Sequence, residues 1–120
     1  MKVAVPQWQN RVSPVFDVAS RILLVDVDEG RELGRQEVAI GGQGPMERAR
    51  VLRGLGTDVV ICGAISRPMQ MALASAGIEV LSGTCGEVDD VLRAYYSGHL
   101  ADAVFRMPGS EPGRHKGVPG

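Results

Sequence analysis

Residues 58–63 read Asp58-Val59-Val60-Ile61-Cys62-Gly63, a continuous apolar run bounded by residues that favour turns. A run this short, without polar alternation, is typical of a strand that is covered on both faces in a parallel sheet. We therefore predict a central, parallel strand in which Val60 and Ile61 are almost fully buried.

Before this strand, apolar runs separated by turn-forming residues indicate three strands and one helix. Glu29-Gly30-Arg31 supplies the turn of an antiparallel hairpin, and Pro45 suits the first turn of a helix. The predicted elements are a strand over residues 2–6, a polar loop over 7–20, strands over 22–28 and 32–40, and a helix over 45–55.

After this strand, two helices and one strand are expected. Apolar residues recur at helical spacing between a capping Ser66 and a terminating Gly77, and Ile78 to Leu81 reads as a strand. Thr84-Cys85-Gly86-Glu87 fits a capping box for a last helix that Gly98 ends. The element order predicts an α/β domain with a mixed sheet of about five strands and helices on its faces.

The composition is that of an ordinary globular domain. The chain has 120 residues, 44% of them hydrophobic, and its 13 basic and 14 acidic residues give a net charge of -1. This charge favours neither nucleic acid nor a membrane surface as partner, and no apolar run is long enough to span a bilayer. The N-terminus lacks the pattern of a secretory signal, so we expect a cytoplasmic location.

The last residues differ from the rest of the chain. Beyond Met107, proline and glycine dominate, and no apolar face is present that could offset the entropy of ordering. We therefore expect one domain over residues 1–106 and a disordered tail over 107–120.

Three segments resemble the dinitrogenase iron-molybdenum cofactor biosynthesis family. They are Arg11-Val12-Ser13-Pro14-Val15-Phe16-Asp17-Val18-Ala19, Ile22 to Val27, and Val60 to Ser66. The likeness runs from about Lys2 to Leu100, with the elements in the right order and at family-like spacing. It implies a ribonuclease-H-like, three-layer fold whose five strands lie in the order 3-2-1-4-5, with strand 2 antiparallel.

The resemblance also implies a function. Members bind or carry metalloclusters during assembly of the nitrogenase cofactor, so the expected ligand is iron-molybdenum cofactor or an iron-sulfur precursor. The expected partner is a cluster-assembly protein, and the chain would be a monomer or a weak homo-oligomer. The family's first loop commonly reads Ser-x-His-Phe-Gly, which this chain matches at Ser13 and Phe16. Val15 replaces the histidine and cannot bind a metal, and Asp17 replaces the glycine.

The candidate site lies where the chain leaves the carboxyl ends of the parallel strands, because ligands of open α/β sheets gather there. The predicted loops are residues 6–17, 62–68 and 82–86, and two of them contain a cysteine. Thiolates suit iron-sulfur species, but Cys62 can equally be a small buried hydrophobe and Cys85 an incidental first-turn residue. The candidate binding residues are Ser13, Phe16, Cys62, Gly63, Arg67 and Cys85, with Cys62 and Cys85 as the candidate metal ligands.

Two other function classes compete with metallocluster binding. Trp8, Val15 and Phe16 share one loop and would form the contact patch of a protein-interaction or regulatory module without a metal. The fold that the resemblance implies also occurs in nucleases, which need converging carboxylates. Asp17 and Asp26 are not placed to converge, and neither histidine lies in a site loop, so we expect a binding protein rather than an enzyme.

Overall fold

The computed structural model describes residues 1–41, 44–102 and 105–107. The predicted disordered tail covers residues 107–120, and all of it except Met107 lies outside the described residues. The described residues form six strands and three helices, with a short 3-10 turn over Phe16–Val18. The strands are β1 (Lys2–Trp8), β2 (Arg11–Val12), β3 (Arg21–Asp28), β4 (Arg31–Ala39), β5 (Val59–Ile61) and β6 (Glu79–Leu81). The helices are α1 (Pro45–Gly54), α2 (Arg67–Ser75) and α3 (Val88–Ser97).

The sheet is mixed, with β5 beside β1 near its centre. Its order is β4-β3-β1-β5-β6, where β5 runs parallel to both of its neighbours and β3 runs antiparallel to β1 and β4. This is the strand order that the resemblance implied, including the one antiparallel position. The predicted count of five strands is wrong, because β2 adds a sixth strand that pairs with the end of β1. The ribonuclease-H-like name stays a prediction.

The extra strand arises from a tight hairpin that the sequence hides. Gln9 and Asn10 both adopt positive φ, 52° and 65°, so the chain turns without glycine or proline and Arg11–Val12 pairs back onto Gln7 and Trp8. Asparagine tolerates this left-handed region better than most residues, but glutamine does so rarely. The predicted polar loop over residues 7–20 is therefore partly a hairpin and partly a 3-10 turn.

Alternation along β5 divides the core into two layers. Val60 and Cys62 face α1 and α2, where they pack with Met69 and Leu73, while Val59 and Ile61 face α3. Val60 and Ile61 are fully buried, as predicted. The protein is therefore a three-layer α/β structure in which both faces of the central strand are covered.

The sequence predicted the N-cap of α2 correctly and that of α3 wrongly. Ser66 caps α2 as predicted, since its hydroxyl accepts a hydrogen bond from the Met69 amide at 3.2 Å. The capping box before α3 is wrong: the cap is Glu87, which makes no side-chain cap hydrogen bond. Gly86 has a φ of 126°, so Thr84 and Cys85 precede the helix rather than open it.

β4 forms one edge of the sheet and is almost wholly exposed. A bulge at Leu33 shifts its register against β3, and Arg35 lies between Glu32 of the same strand and Asp89 of α3. Hydrogen bonding to Glu32 raises the pKa of Arg35, and the same contact lowers the pKa of Glu32. Within the described part of the chain, every helix is too short or too polar to cross a membrane.

Candidate functional site

Three loops meet at the carboxyl end of the sheet, defined here by the ends of β1, β5 and β6. The Ala64 amide donates to the Pro14 carbonyl at 2.8 Å, and the Phe16 amide donates to the Ala64 carbonyl at 2.8 Å. On the other side, the amides of Gly83 and Thr84 donate to the carbonyls of Gly63 and Cys62, both at 2.9 Å. Backbone hydrogen bonds therefore continue across the loops beyond the strands, and the three predicted loops do come together.

Gly63 permits the close approach of the first two loops. A Cβ atom at this position would lie 2.7 Å from the Pro14 carbonyl oxygen and 2.9 Å from the Ser13 carbonyl oxygen. Backbone atoms cannot move aside as the end of a flexible side chain can, so only glycine fits here. Ser13 is itself buried, and its amide donates to the Pro6 carbonyl at 2.8 Å. The structure therefore gives both residues a packing role at the site.

Cys62 lies in the core rather than on the surface of the site. Its side chain is fully buried on the α1 and α2 face of the sheet. Burial, together with the negative charge of Asp17, raises the pKa of the Cys62 thiol from 9.0 to about 12. Since the thiolate is the form that binds metals, this environment favours the interpretation of Cys62 as a small buried hydrophobe.

Cys85 is the more accessible of the two thiols. It is half-buried, and its amide donates to the Phe105 carbonyl at 2.8 Å. Because α3 begins only at Val88, the predicted placement of Cys85 in a first helical turn is wrong. No cluster of three or more His, Cys, Asp or Glu side chains able to hold a metal ion occurs among the described residues.

The remaining predicted residues divide into one buried and one exposed side chain. Phe16 is fully buried in the core beside α1 and α2, so its ring is not part of a surface patch. Arg67, the first residue of α2, is exposed at the carboxyl end of the sheet. Of the six predicted site residues, Arg67 and Cys85 are therefore the two that a ligand could reach from solvent.

Two charged residues that the sequence analysis did not assign to the site organise its first loop. The Asp17 carboxylate accepts hydrogen bonds from the Ser66 amide at 2.9 Å and from the Ser66 hydroxyl at 2.5 Å. Arg48 of α1 is only 4% exposed, and it donates to the carbonyls of Ala19 at 2.9 Å and Phe16 at 3.4 Å. Burial lowers the pKa of Arg48, and the charge of Asp17 opposes this effect. The signal in the sequence was the departure of Asp17 from the glycine that the resemblance implied at this position.

An apolar depression adjoins these loops. It has a volume of about 260 Å³, and Trp8, Val15 and Val18 contribute to its walls. The exposed fractions of these side chains are 64%, 39% and 77%. Large apolar side chains that cluster on a surface generally mark a site of interaction, whereas single ones do not.

Charged side chains of both signs lie at both ends of the sheet. At the carboxyl end, Arg11 and Arg67 are exposed, together with the Glu87 carboxylate beside Arg11 and the Asp17 carboxylate, which is hydrogen-bonded to Ser66. The opposite end carries the N-terminal ammonium and Lys2 as well as the acidic side chains Asp26, Asp28, Glu29, Asp58 and Glu79. Arg11 and Arg67 are therefore two exposed cations that an anion could contact at the site, within a surface of mixed charge.

Comparisons with known proteins agree with the fold and extend over the whole site. MJ0580, an uncharacterized protein of Methanocaldococcus jannaschii, is 21% identical over 105 residues, which are 83% of this chain and 89% of that protein. The crystal structure of PH0822 matches with a TM-score of 0.81 and 21% identity over 92% of this chain and 96% of that one. The apo form of the orange protein from Desulfovibrio gigas matches with a TM-score of 0.67 and 22% identity, over 88% and 94% of the two chains. The two structural likenesses show a shared fold.

The family match is more extensive than any single motif. The model of a family described as dinitrogenase iron-molybdenum cofactor covers residues 1–98, and so includes the six strands, the three helices and the loops of the candidate site. By this match, the chain belongs to the dinitrogenase iron-molybdenum cofactor family.

Proposed function

We propose that the protein binds or carries a metallocluster, either iron-molybdenum cofactor or an iron-sulfur precursor, at the carboxyl end of its sheet. The observation that carries the proposal is the family match over residues 1–98, which spans all three loops of the site. The cluster is cargo in this proposal, received from and passed to a cluster-assembly protein. The fold relative from Desulfovibrio gigas, solved in its apo form, is compatible with such a role.

The side chains at the site fit a preassembled cluster better than separate metal ions. Cys62 is buried with a raised pKa, so Cys85 alone is left as an accessible thiol. One thiolate is a sparse ligand set, and sulfide, solvent or a partner chain would complete the coordination. Metal-sulfur clusters commonly carry negative charge, and Arg11 and Arg67 supply positive charge at this end of the sheet. Binding should therefore be reversible and sensitive to salt.

We also infer that the chain binds its cargo without catalysing a reaction. The ribonuclease-H-like fold name would admit a nuclease, which requires carboxylates that converge on metal ions. Asp17 lies at the carboxyl end of the sheet and is hydrogen-bonded to Ser66, whereas Asp26 pairs in register with Lys2 at the opposite end. This separation supports a binding role.

A second candidate function rests on a different observation. Trp8, Val15 and Val18 form an exposed apolar surface beside the site, although Phe16, which the sequence also assigned to it, is buried. A surface of this kind suits a protein-interaction or regulatory module that needs no metal. Within the first proposal, the same surface would contact the cluster-assembly protein.

Anaerobic reconstitution with iron(II) and sulfide, with and without molybdate, tests the proposal. After desalting, we expect the wild-type protein to retain iron and to show visible charge-transfer absorption. Cys85→Ala and Arg67→Gln should each retain less, whereas Cys62→Ala should retain as much as the wild type if it stays folded. Arg53→Gln is the matched control for Arg67→Gln, because Arg53 is another exposed arginine but lies at the end of α1.

Retention of no iron by the wild-type protein under any of these conditions would contradict cluster binding and favour the interaction module. Equal loss in Arg53→Gln and Arg67→Gln would contradict the location of the site, because the effect would then follow total charge. Equal retention by wild type, Cys85→Ala and Arg67→Gln would likewise remove both side chains from the binding surface.

A further inference from the structure

The Asp17 side chain adds a link between two loops that backbone hydrogen bonds also join. Its carboxylate accepts two hydrogen bonds from Ser66, one from the amide at 2.9 Å and one from the hydroxyl at 2.5 Å, across 49 residues of sequence. Ser66 is also the residue that caps α2, through its hydroxyl and the Met69 amide. The position of the first loop is therefore tied directly to the start of α2.

A side chain of α1 also forms hydrogen bonds with the backbone of this loop. Arg48 donates to the carbonyls of Phe16 and Ala19, which lie on either side of Asp17 in sequence. The Phe16 ring is fully buried below the loop, and the Phe16 amide donates to the Ala64 carbonyl at 2.8 Å. Because these contacts fix the 3-10 turn at both ends, the Asp17 side chain has a defined direction toward Ser66.

The groups that this linkage holds are those that face solvent at the site. Val15 precedes the 3-10 turn and Val18 is its last residue, and both are walls of the apolar depression. Arg67 follows Ser66 directly in the first turn of α2. An apolar surface on one loop and a positive charge on another form a single binding surface only while their separation stays constant. The Asp17 carboxylate bridges these two elements.

We propose that Asp17 is a positioning residue of the cargo site, which fastens Val15 and Val18 of the first loop in a fixed arrangement with Arg67 of α2. This inference rests on the proposed function. It adds a role for a residue that departs from the family's glycine, and it places that role in geometry rather than in contact with the cargo.

An electrostatic role for Asp17 would have the opposite consequence. A carboxylate near an anionic cluster repels it, so removal of the charge by any substitution would then strengthen binding. Positioning predicts instead that Asp17→Ala weakens binding and that Asp17→Asn restores it. The asparagine carbonyl can accept from the Ser66 amide, and its NH₂ group can donate to the Ser66 hydroxyl. The sign of the effect therefore separates the two explanations.

The experiment measures the affinity for a reconstituted iron-sulfide cluster in wild type, Asp17→Ala, Asp17→Asn and Ser66→Ala. Trp8 is the chain's single tryptophan and is a wall of the depression, so quenching of its fluorescence reports binding at the site. Glu87→Ala is the matched control, because it removes another exposed carboxylate at the same end of the sheet. Thermal unfolding of each variant shows whether it is folded at the assay temperature.

We expect a loss of affinity of about tenfold for Asp17→Ala, which corresponds to about 1.4 kcal/mol, and a smaller loss for Ser66→Ala. Asp17→Asn should bind like wild type, and Glu87→Ala should bind as well as wild type or better. If Asp17→Ala does not fold, the comparison of folded Ser66→Ala with wild type decides. This substitution removes the hydroxyl contacts with Asp17 and with the Met69 amide and keeps the hydrogen bond from the Ser66 amide to Asp17.

Wild-type affinity in folded Asp17→Ala, or in Ser66→Ala when Asp17→Ala is unfolded, would overturn the positioning role and leave the proposed function standing. Stronger binding by both Asp17 variants would also overturn it, in favour of simple repulsion. No binding by the wild-type protein would overturn the proposed function itself, and this inference with it.

Discussion

The loops that follow β5 and β6 occupy equivalent places in the fold but differ in how they are held. Residues 62–66 are fixed by a buried cysteine, by the close approach of Ser13 and Pro14 to Gly63, and by the Asp17 carboxylate. Residues 82–86 are held by backbone hydrogen bonds, and their cysteine is half-buried. Position at the carboxyl end of a strand is therefore not sufficient to make a side chain available to a ligand. The loop after β5 buries its cysteine in the core, whereas the loop after β6 leaves its cysteine half-buried.

The largest effect should come from Gly63→Ala in the loop after β5. The added Cβ would lie 2.7 Å from the Pro14 carbonyl oxygen, and we expect a loss of about 3 kcal/mol in the free energy of unfolding, at the upper end of overpacking effects. Urea denaturation measures this change. Gly54→Ala is the control, because a Cβ there meets nothing within 4 Å and should be neutral or stabilising. Equal stability of the two variants would show that the loop after β5 can rearrange to accommodate the added Cβ.

The next effect is a pH dependence that belongs to Cys62. Its thiol has a pKa of about 12 in the folded protein and ionises near 9.0 when unfolded. Between these values only the unfolded chain loses the proton, so stability falls as pH rises, and below this range the thiol contributes no pH dependence. At about pH 10.5, wild type should have lost about 2 kcal/mol more, relative to about pH 8, than Cys62→Ala has. Parallel losses in the two proteins, by urea denaturation at both pH values, would contradict the burial of this thiol.

A smaller effect is expected for Ser66→Ala. The substitution removes the hydroxyl that caps α2 and donates to Asp17, and loss of such a cap costs about 1 kcal/mol. Ser97→Ala is the matched control, since its hydroxyl donates to the carbonyls of Arg93 and Ala94 at the other end of a helix. Thermal unfolding of both variants measures the difference. A Ser66→Ala protein as stable as Ser97→Ala would show that backbone contacts alone hold the loop after β5.

The smallest change in stability should follow Cys85→Ala in the loop after β6. Its side chain is half-buried and its amide hydrogen bond does not depend on the side chain, so we expect a change within about 0.5 kcal/mol. In the native wild-type protein, an alkylating reagent should modify Cys85 well before Cys62, which mass spectrometry of peptides can follow. Equal rates for the two thiols would erase the contrast between the loops.

Patterns of local residues were sufficient for most of the fold. The apolar run at Val59–Ile61 predicted the central parallel strand, and Ser66 with Gly77 marked the ends of α2 within about one residue. The division of the core was also readable in principle. Alternation in a strand places Cys62 on the same face as Val60, and both faces of this strand were predicted to be covered, so the burial of this thiol follows from the apolar run itself.

Contacts that join distant residues were beyond such patterns. The pairing of Asp17 with Ser66 spans 49 residues, and nothing near either residue indicates the other. The hairpin at Gln9 and Asn10 uses positive φ without glycine, so the usual turn signal is missing. The capping box before α3 had the right residue types, but Gly86 at a φ of 126° directs the chain away from helical geometry. This segment also contacts residues far away in sequence, since the Gly86 carbonyl accepts from the Val12 amide at 2.9 Å and the Val88 amide donates to the Asn10 carbonyl at 2.8 Å.

The outer strand β4 has a consequence for how the protein behaves at high concentration. A long unpaired strand offers its free backbone groups to any other strand, and this is a common route to aggregation. The bulge at Leu33 interrupts the regular spacing of those groups, and four of the nine residues of β4 are charged, namely Arg31, Glu32, Arg35 and Glu37. A second strand could pair with β4 in register only by placing its own side chains beside these charges or by bending around the bulge. The irregularity of β4 therefore protects the protein against self-association through its outermost strand.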